Sequence, residues 1–141
     1  MNPLPDIPVE RIESHGRLLG LIIKSGTSPD RTTFLTENDL PFQAGFVVYG
    51  KGGAVVPHIH HPVKRELTTT SEVLLVRQGS CRVDFYDEAR QLIETRHLIA
   101  GDLVIFYEGG HGVRMPDEDC VLFEIKQGPY PGMDEKERFT P

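Results

Sequence analysis

The feature that most constrains this chain is its punctuation. Clusters of Gly, Pro, Asn and Asp recur every 6 to 12 residues, and no stretch between them keeps a helical apolar period for long. What lies between is short and rich in β-branched and aromatic residues. The runs 32–35, 42–49, 54–60, 72–77, 81–86, 91–98, 103–107 and 120–126 all read as strands. The apolar run 17–24 reads the same way, although pattern alone also admits a short buried helix. Gln78, Gly79 and Ser80 mark a hairpin, and so do Asp87, Glu88, Ala89 and Arg90. Some ten short strands without a convincing helix predict an all-β sandwich or barrel.

At 141 residues the chain is one domain with room for one core. Its parts are an extended N-terminal arm over 1–16, a β-barrel over 17–126 and a charged, irregular tail over 127–141. Prolines at 3, 5 and 8 keep the start extended. A net charge of -6 counts against a nucleic-acid partner, whose phosphates call for a basic surface. No apolar stretch approaches the ~20 residues of a membrane helix, and the start lacks the basic and apolar regions of a signal peptide. The expectation is a cytoplasmic protein with no membrane partner. Cys81 and Cys120 then read as small buried hydrophobes rather than a disulfide.

Three of the six histidines fall within four residues, at His58, His60 and His61. In a strand, residues two apart face the same side. His58 and His60 would then aim two imidazoles at one spot, their Cα atoms roughly 7 Å apart. Imidazole is a common ligand of Zn, Fe, Ni and Cu. Glu72 opens the next strand, and His111 stands among glycines at 109, 110 and 112. Strand alternation places Glu72, Leu74 and Val76 on one face. His58, His60, His111 and Glu72 make a candidate ligand set for one divalent ion. His61 points to the opposite face, while His15 and His97, among polar residues, read as solvated. Arg65, beside Lys64 and Glu66, is either a clamp for a carboxylate or phosphate or part of a solvated loop.

These residues carry a resemblance. Gly53, His58, His60, Glu72 and Gly79 resemble the first motif of the cupin superfamily, and Gly101, Asp102, Gly110 and His111 resemble the second. The likeness spans about residues 44 to 126. It departs from the family in spacing: eleven residues separate His60 from Glu72, where three or four are usual, and Glu66 is the rival carboxylate. The last His also lacks its usual preceding proline, and Met115 stands where an Asn often follows. The charged C-terminal run from Glu124 resembles that of small single-domain bacterial cupins. The resemblance implies a double-stranded β-helix, or jelly roll, with one divalent transition metal ion (Zn, Fe, Mn, Ni or Cu) and a homodimer.

Three functions follow as expectations. The first is a metal-dependent enzyme of isomerase or dioxygenase type, acting on a small polar molecule such as a sugar or carboxylate. The second is a metal-free sugar-nucleotide epimerase or isomerase, with a His as general base beside an acid such as Tyr. The third is a non-enzymatic module that binds a small ligand. Glu124 and Lys126, two apart on one strand face, and Tyr107 are the candidate catalytic residues.

Overall fold

The computed structural model describes residues 7–141, so the first six residues of the expected N-terminal arm lie outside the described residues. Ten strands make up the fold: β1 (Val9–Ser14), β2 (Arg17–Ile23), β3 (Thr33–Phe34), β4 (Gly45–Phe46), β5 (Glu72–Gln78), β6 (Ser80–Tyr86), β7 (Leu92–Ile99), β8 (Leu103–Phe106), β9 (Gly110–Arg114) and β10 (Val121–Lys126). One 3-10 turn, Met133–Glu135, interrupts the tail. Among the described residues no helix is long and apolar enough to cross a membrane.

The strands form a five-stranded sheet in the order β1-β2-β8-β5-β10, a three-stranded sheet in the order β7-β6-β9, and a small β3-β4 pair. Every pairing is antiparallel. Among the described residues neither large sheet is closed: β10 pairs only with β5, and β9 only with β6.

Alternation sorts the side chains of the five-stranded sheet between two clusters. Leu74, Val76, Val104 and Phe106 face the three-stranded sheet, packing with Val83, Phe85 and Leu98 in the main core. Leu21, Ile23, Ile105 and Tyr107 face the other way, under Leu35, Phe42 and Phe46 of the β3–β4 region. That cover does not extend over β10, whose Val121, Phe123 and Ile125 are exposed. A bulge sets β2 in this scheme: Ile12 pairs with Gly20 but Glu13 with Leu18, so Leu19 is the extra residue. Leu19 and Ile22, of opposite parity, consequently share the main core. Gly20 allows close approach, since a Cβ there would stand 2.7 Å from the Phe85 ring.

Three elements differ from the sequence expectations. Val9–Ser14 is a strand of the large sheet, so the extended arm gives way to structure well before residue 17. Its two apolar residues, Val9 and Ile12, have opposite parity and pack into different clusters, Val9 under the β3–β4 region and Ile12 in the main core. Gly110–Arg114 is also a strand, held by its register on β6 despite the low intrinsic preference of glycine. Conversely, 54–60 is not a strand. From Tyr49 to Thr70 every residue is exposed, and no part of that stretch joins a sheet. A strand needs a partner for its N–H and C=O groups, and this segment has none in the chain that carries it.

Candidate functional site

The end of the sandwich between β9 and β10 collects the polar groups. Glu72 is the first residue of β5, where it pairs with Phe106 on one side and Lys126 on the other. It lies on the core face with Leu74 and Val76, as alternation demands. Across the gap between the sheets, His111 of β9 reaches it, with Nε2 and Oε2 2.9 Å apart. Phe106 lies flat against the His111 ring, the centroids 3.7 Å apart and the planes 9° from parallel. The hydrogen bond from His111 holds the Glu72 carboxyl below its ordinary value, outweighing partial burial, with help from the charges of Lys126 and Lys136.

Lys126 stands beside this pair on β10, but its ammonium is engaged elsewhere. Its Nζ lies 3.1 Å from Glu135 Oε1 and 5.2 Å from the centre of the Tyr130 ring. The Glu135 hydrogen bond raises its pKa. A cavity of about 250 Å³ opens here, lined by Lys126, Tyr130, Met133, Glu135 and Arg138. A second, of about 270 Å³, lies against Arg65, Thr69, Thr70, Gln127 and Glu135. Glu135 Oε2 and Ser71 Oγ are buried without a protein partner. The sequence hid Glu135 in a charged tail that reads as solvated; no local pattern distinguishes it from its neighbours.

Glu124 shares the inward face of β10 with Lys126, yet it is exposed. Tyr107 is placed away from these groups. It belongs to the cluster on the opposite face of the sheet, donates its hydroxyl to the Phe42 carbonyl at 2.7 Å, and is pushed up to about 12 by burial.

His58 and His60 form a second pair. Their rings meet edge to face, with centroids 5.0 Å apart. His58 Nδ1 lies 2.8 Å from the Val56 carbonyl oxygen, which leaves Nε2 outward. Both sit on the exposed stretch from Tyr49 to Thr70 rather than on a strand. Glu66 is on the same stretch, ion-paired with Lys64 at 2.9 Å. His61, His15 and His97 are exposed. Among the described residues no three His, Cys, Asp or Glu side chains gather in one place. The four expected ligands are thus two pairs, one on the body and one on the exposed stretch.

Asp102, from the second motif, is a fastening point. Its carboxylate is buried and accepts hydrogen bonds from Ser25 N at 2.8 Å and Ile99 N at 2.9 Å, with Lys24 Nζ at 3.2 Å. Burial alone would raise its pKa; these donors outweigh it and the net shift is downward. Asp84 is likewise held low, chiefly by a two-pronged bond from Arg114 at 2.7 and 2.9 Å that ties β9 to β6. Cys81 is buried and its pKa is pushed up to about 11, chiefly by desolvation. Both cysteines are free.

No family model matches the chain, and no curated protein or solved structure is significantly similar to it.

Proposed function

We propose that the sandwich is a jelly roll of the cupin type, and that His58, His60, Glu72 and His111 hold one divalent transition metal ion. On this reading the chain is a metal-dependent enzyme of isomerase or dioxygenase type, acting on a small polar molecule. One observation carries it. Glu72 and His111 belong to different motifs and different sheets, yet meet at 2.9 Å.

The donor chemistry fits. Two donors at about 2.0–2.1 Å from one tetrahedral ion lie about 3.4 Å apart, so an ion would replace the 2.9 Å hydrogen bond of this pair by parting the two groups slightly. Mixed imidazole and carboxylate donors suit Zn, Fe, Mn, Ni or Cu. A bound ion would polarise a carbonyl or activate water or dioxygen. The chain's own residues have defined tasks. Glu72 stays ionised and ready to bind, because its carboxyl is held low. Phe106 fixes the plane of the His111 ring. Lys126, drawn off by Glu135, leaves Glu72 free of a direct ammonium bond.

A second reading draws on the same pair. A His oriented by a carboxylate is a general base, which suits the metal-free epimerase or isomerase. Elemental analysis of protein purified without a His tag separates the two, with a His58→Ala, His60→Ala double variant alongside. About one ion per chain, lost in the variant, is the expected result. Full turnover in metal-stripped protein would transfer the assignment to the metal-free reaction.

A further inference from the structure

The tail after β10 is tied to both large sheets between residues 135 and 139. Glu135 meets Lys126 of β10 at 3.1 Å. Phe139 lies edge-on to Tyr86 of β6, with centroids 5.1 Å apart and planes at 88°. It also closes on β9, where a Cβ on Gly110 would stand 3.2 Å from its ring. Beyond the 3-10 turn the backbone is extended, with φ -140° and ψ 152° at Lys136. Successive side chains of an extended segment point opposite ways. Glu137 and Phe139 both meet Arg90 of the β6–β7 turn, the first by an ion pair at 2.9 Å and the second with its ring centre 5.4 Å from the guanidinium carbon. Lys136 and Arg138, of the other parity, both line the cavity of about 250 Å³. A slip of one residue would exchange the two sets, so the contacts of Phe139 and Glu137 fix which charges the cavity receives.

Those charges run against the chain as a whole. Lys126, Lys136 and Arg138 line the cavity against one carboxylate, Glu135, in a chain of net charge -6. The tail's ion pairs use its other charges, Glu135 on Lys126 and Glu137 on Arg90. Lys136 and Arg138 have no ion-pair partner among the described residues. Glu72 and Glu124 also act on Lys126 by charge, but neither lines the cavity, and Glu72 is met by His111. Glu135 adds a second, independent sign of a ligand. Its side chain is 9% exposed, and while Oε1 faces Lys126, Oε2 is buried without a donor. A buried acceptor left unpaired is costly, and a ligand hydroxyl would satisfy it.

We propose that this cavity binds the acidic group, a carboxylate or a phosphate, of a small hydroxylated molecule, with Lys136 and Arg138 as its cationic partners and Glu135 accepting a ligand hydroxyl. Arg138 can meet either acid with two parallel N–H bonds, and Lys136 acts as a point charge. Lys126 joins the cavity to the Glu72–His111 pair, since it stands opposite Glu72 in the β5–β10 register. The charge of Lys136 also reaches Glu72. Arg65, a candidate clamp by sequence, lines the second cavity instead. Anion binding stands on the cavity and its charges; that the bound molecule is a substrate rests on the metal-enzyme reading above.

Titration calorimetry at low, constant ionic strength tests it, on the full chain as purified and again after passage over a chelating resin. The probes share one carbon chain length: gluconate, sorbitol 6-phosphate, hexanoate and sorbitol. Gluconate or sorbitol 6-phosphate should bind, the tighter of the two naming the acidic group. Sorbitol and hexanoate each lack one recognised part and should bind at least about tenfold more weakly. A Lys136→Gln, Arg138→Gln double variant should weaken anion binding at least about tenfold in both preparations. Both cations are exposed, so its unfolding midpoint should hold. Phe139→Ala keeps both cations but frees their register, and should weaken binding as well; Arg65→Gln should not. No binding of either anion, equal binding of sorbitol, or a double variant as tight as the unaltered chain overturns the site. Hexanoate as tight as gluconate overturns the role of Glu135, unchanged binding in Phe139→Ala overturns the role of the tail's register, and a loss confined to Arg65→Gln moves the anion to the second cavity. Binding lost on the resin and indifferent to the double variant gives the anion to the metal and overturns the cationic site. Anion binding that persists in a chain found to hold no metal sinks the metal reading and upholds this one.

Discussion

The sheets and the 49–70 stretch are built from similar residues and treat them in opposite ways. In the sheets, Val83, Phe85, Leu98 and Val104 are fully buried, and the buried carboxylates of Asp84 and Asp102 are saturated with donors. On the stretch, Val56 and Ile59 are in water and the backbone has no ladder. The composition of a segment therefore does not decide whether it is a strand. The availability of a partner edge does.

The contrast can be broken or sharpened by substitution. The largest effect is expected at Phe85, wholly buried and pressed against Phe106 with centroids 5.6 Å apart. Phe85→Ala should lower unfolding free energy by about 3–5 kcal/mol in a urea titration. Ile59→Ala in dilute, monomeric protein should cost no more than about 0.5 kcal/mol. A comparable cost at both positions would end the distinction.

Asp102→Asn comes next, at about 1–3 kcal/mol, because it weakens acceptors for buried donors. The pH dependence has a definite sign. The native carboxyl is held below its ordinary value of 3.8, so its contribution is fully present above that value and is lost as pH falls toward the depressed one. Acid titration of stability should be steeper in the unaltered chain than in the variant below about pH 5. Equal slopes would remove Asp102 from its fastening role.

Glu72→Gln is expected to leave the unfolding midpoint nearly unchanged while weakening Zn²⁺ binding at least tenfold, about 1.4 kcal/mol, by competition with a chromogenic chelator. Unchanged affinity would point to Glu66 as the carboxylate. The smallest effect is kinetic. Trypsin at low protein concentration should cut first after Lys51, Lys64 or Arg65, where the backbone is open. Raising the concentration should slow those cuts selectively if the stretch becomes covered. First cuts within β5 or β6 instead would reverse the contrast.

Much of the fold was legible in the sequence, for physical reasons. The cores of β5, β6 and β8 announce themselves because burial on at least one face leaves a dense apolar run; β10 carries a similar run although its Val121, Phe123 and Ile125 are exposed. Alternation put Glu72 on the same face as Leu74 and Val76, and the structure has it there. The hairpin at Gly79 was readable too: its φ of +74° and the 1.9 Å from a would-be Cβ to the Asp119 carbonyl oxygen demand glycine. What was not legible depends on partners distant in sequence. β9 is a strand because β6 lies beside it, and the Glu135 carboxylate is turned inward because it meets Lys126 at 3.1 Å. The run 54–60 has every local mark of a strand and lacks only the edge to join. The pairing of His111 with Glu72 follows from motif spacing only as an expectation; the 2.9 Å contact is set by how two sheets stack.

The flat contact between Phe106 and His111 has a consequence for time rather than strength. An imidazole lying against a buried phenyl ring has already given up its freedom to turn when the protein folds. A ligand arriving at that nitrogen does not have to halt a rotating ring, so that part of the ordering cost is met before it arrives.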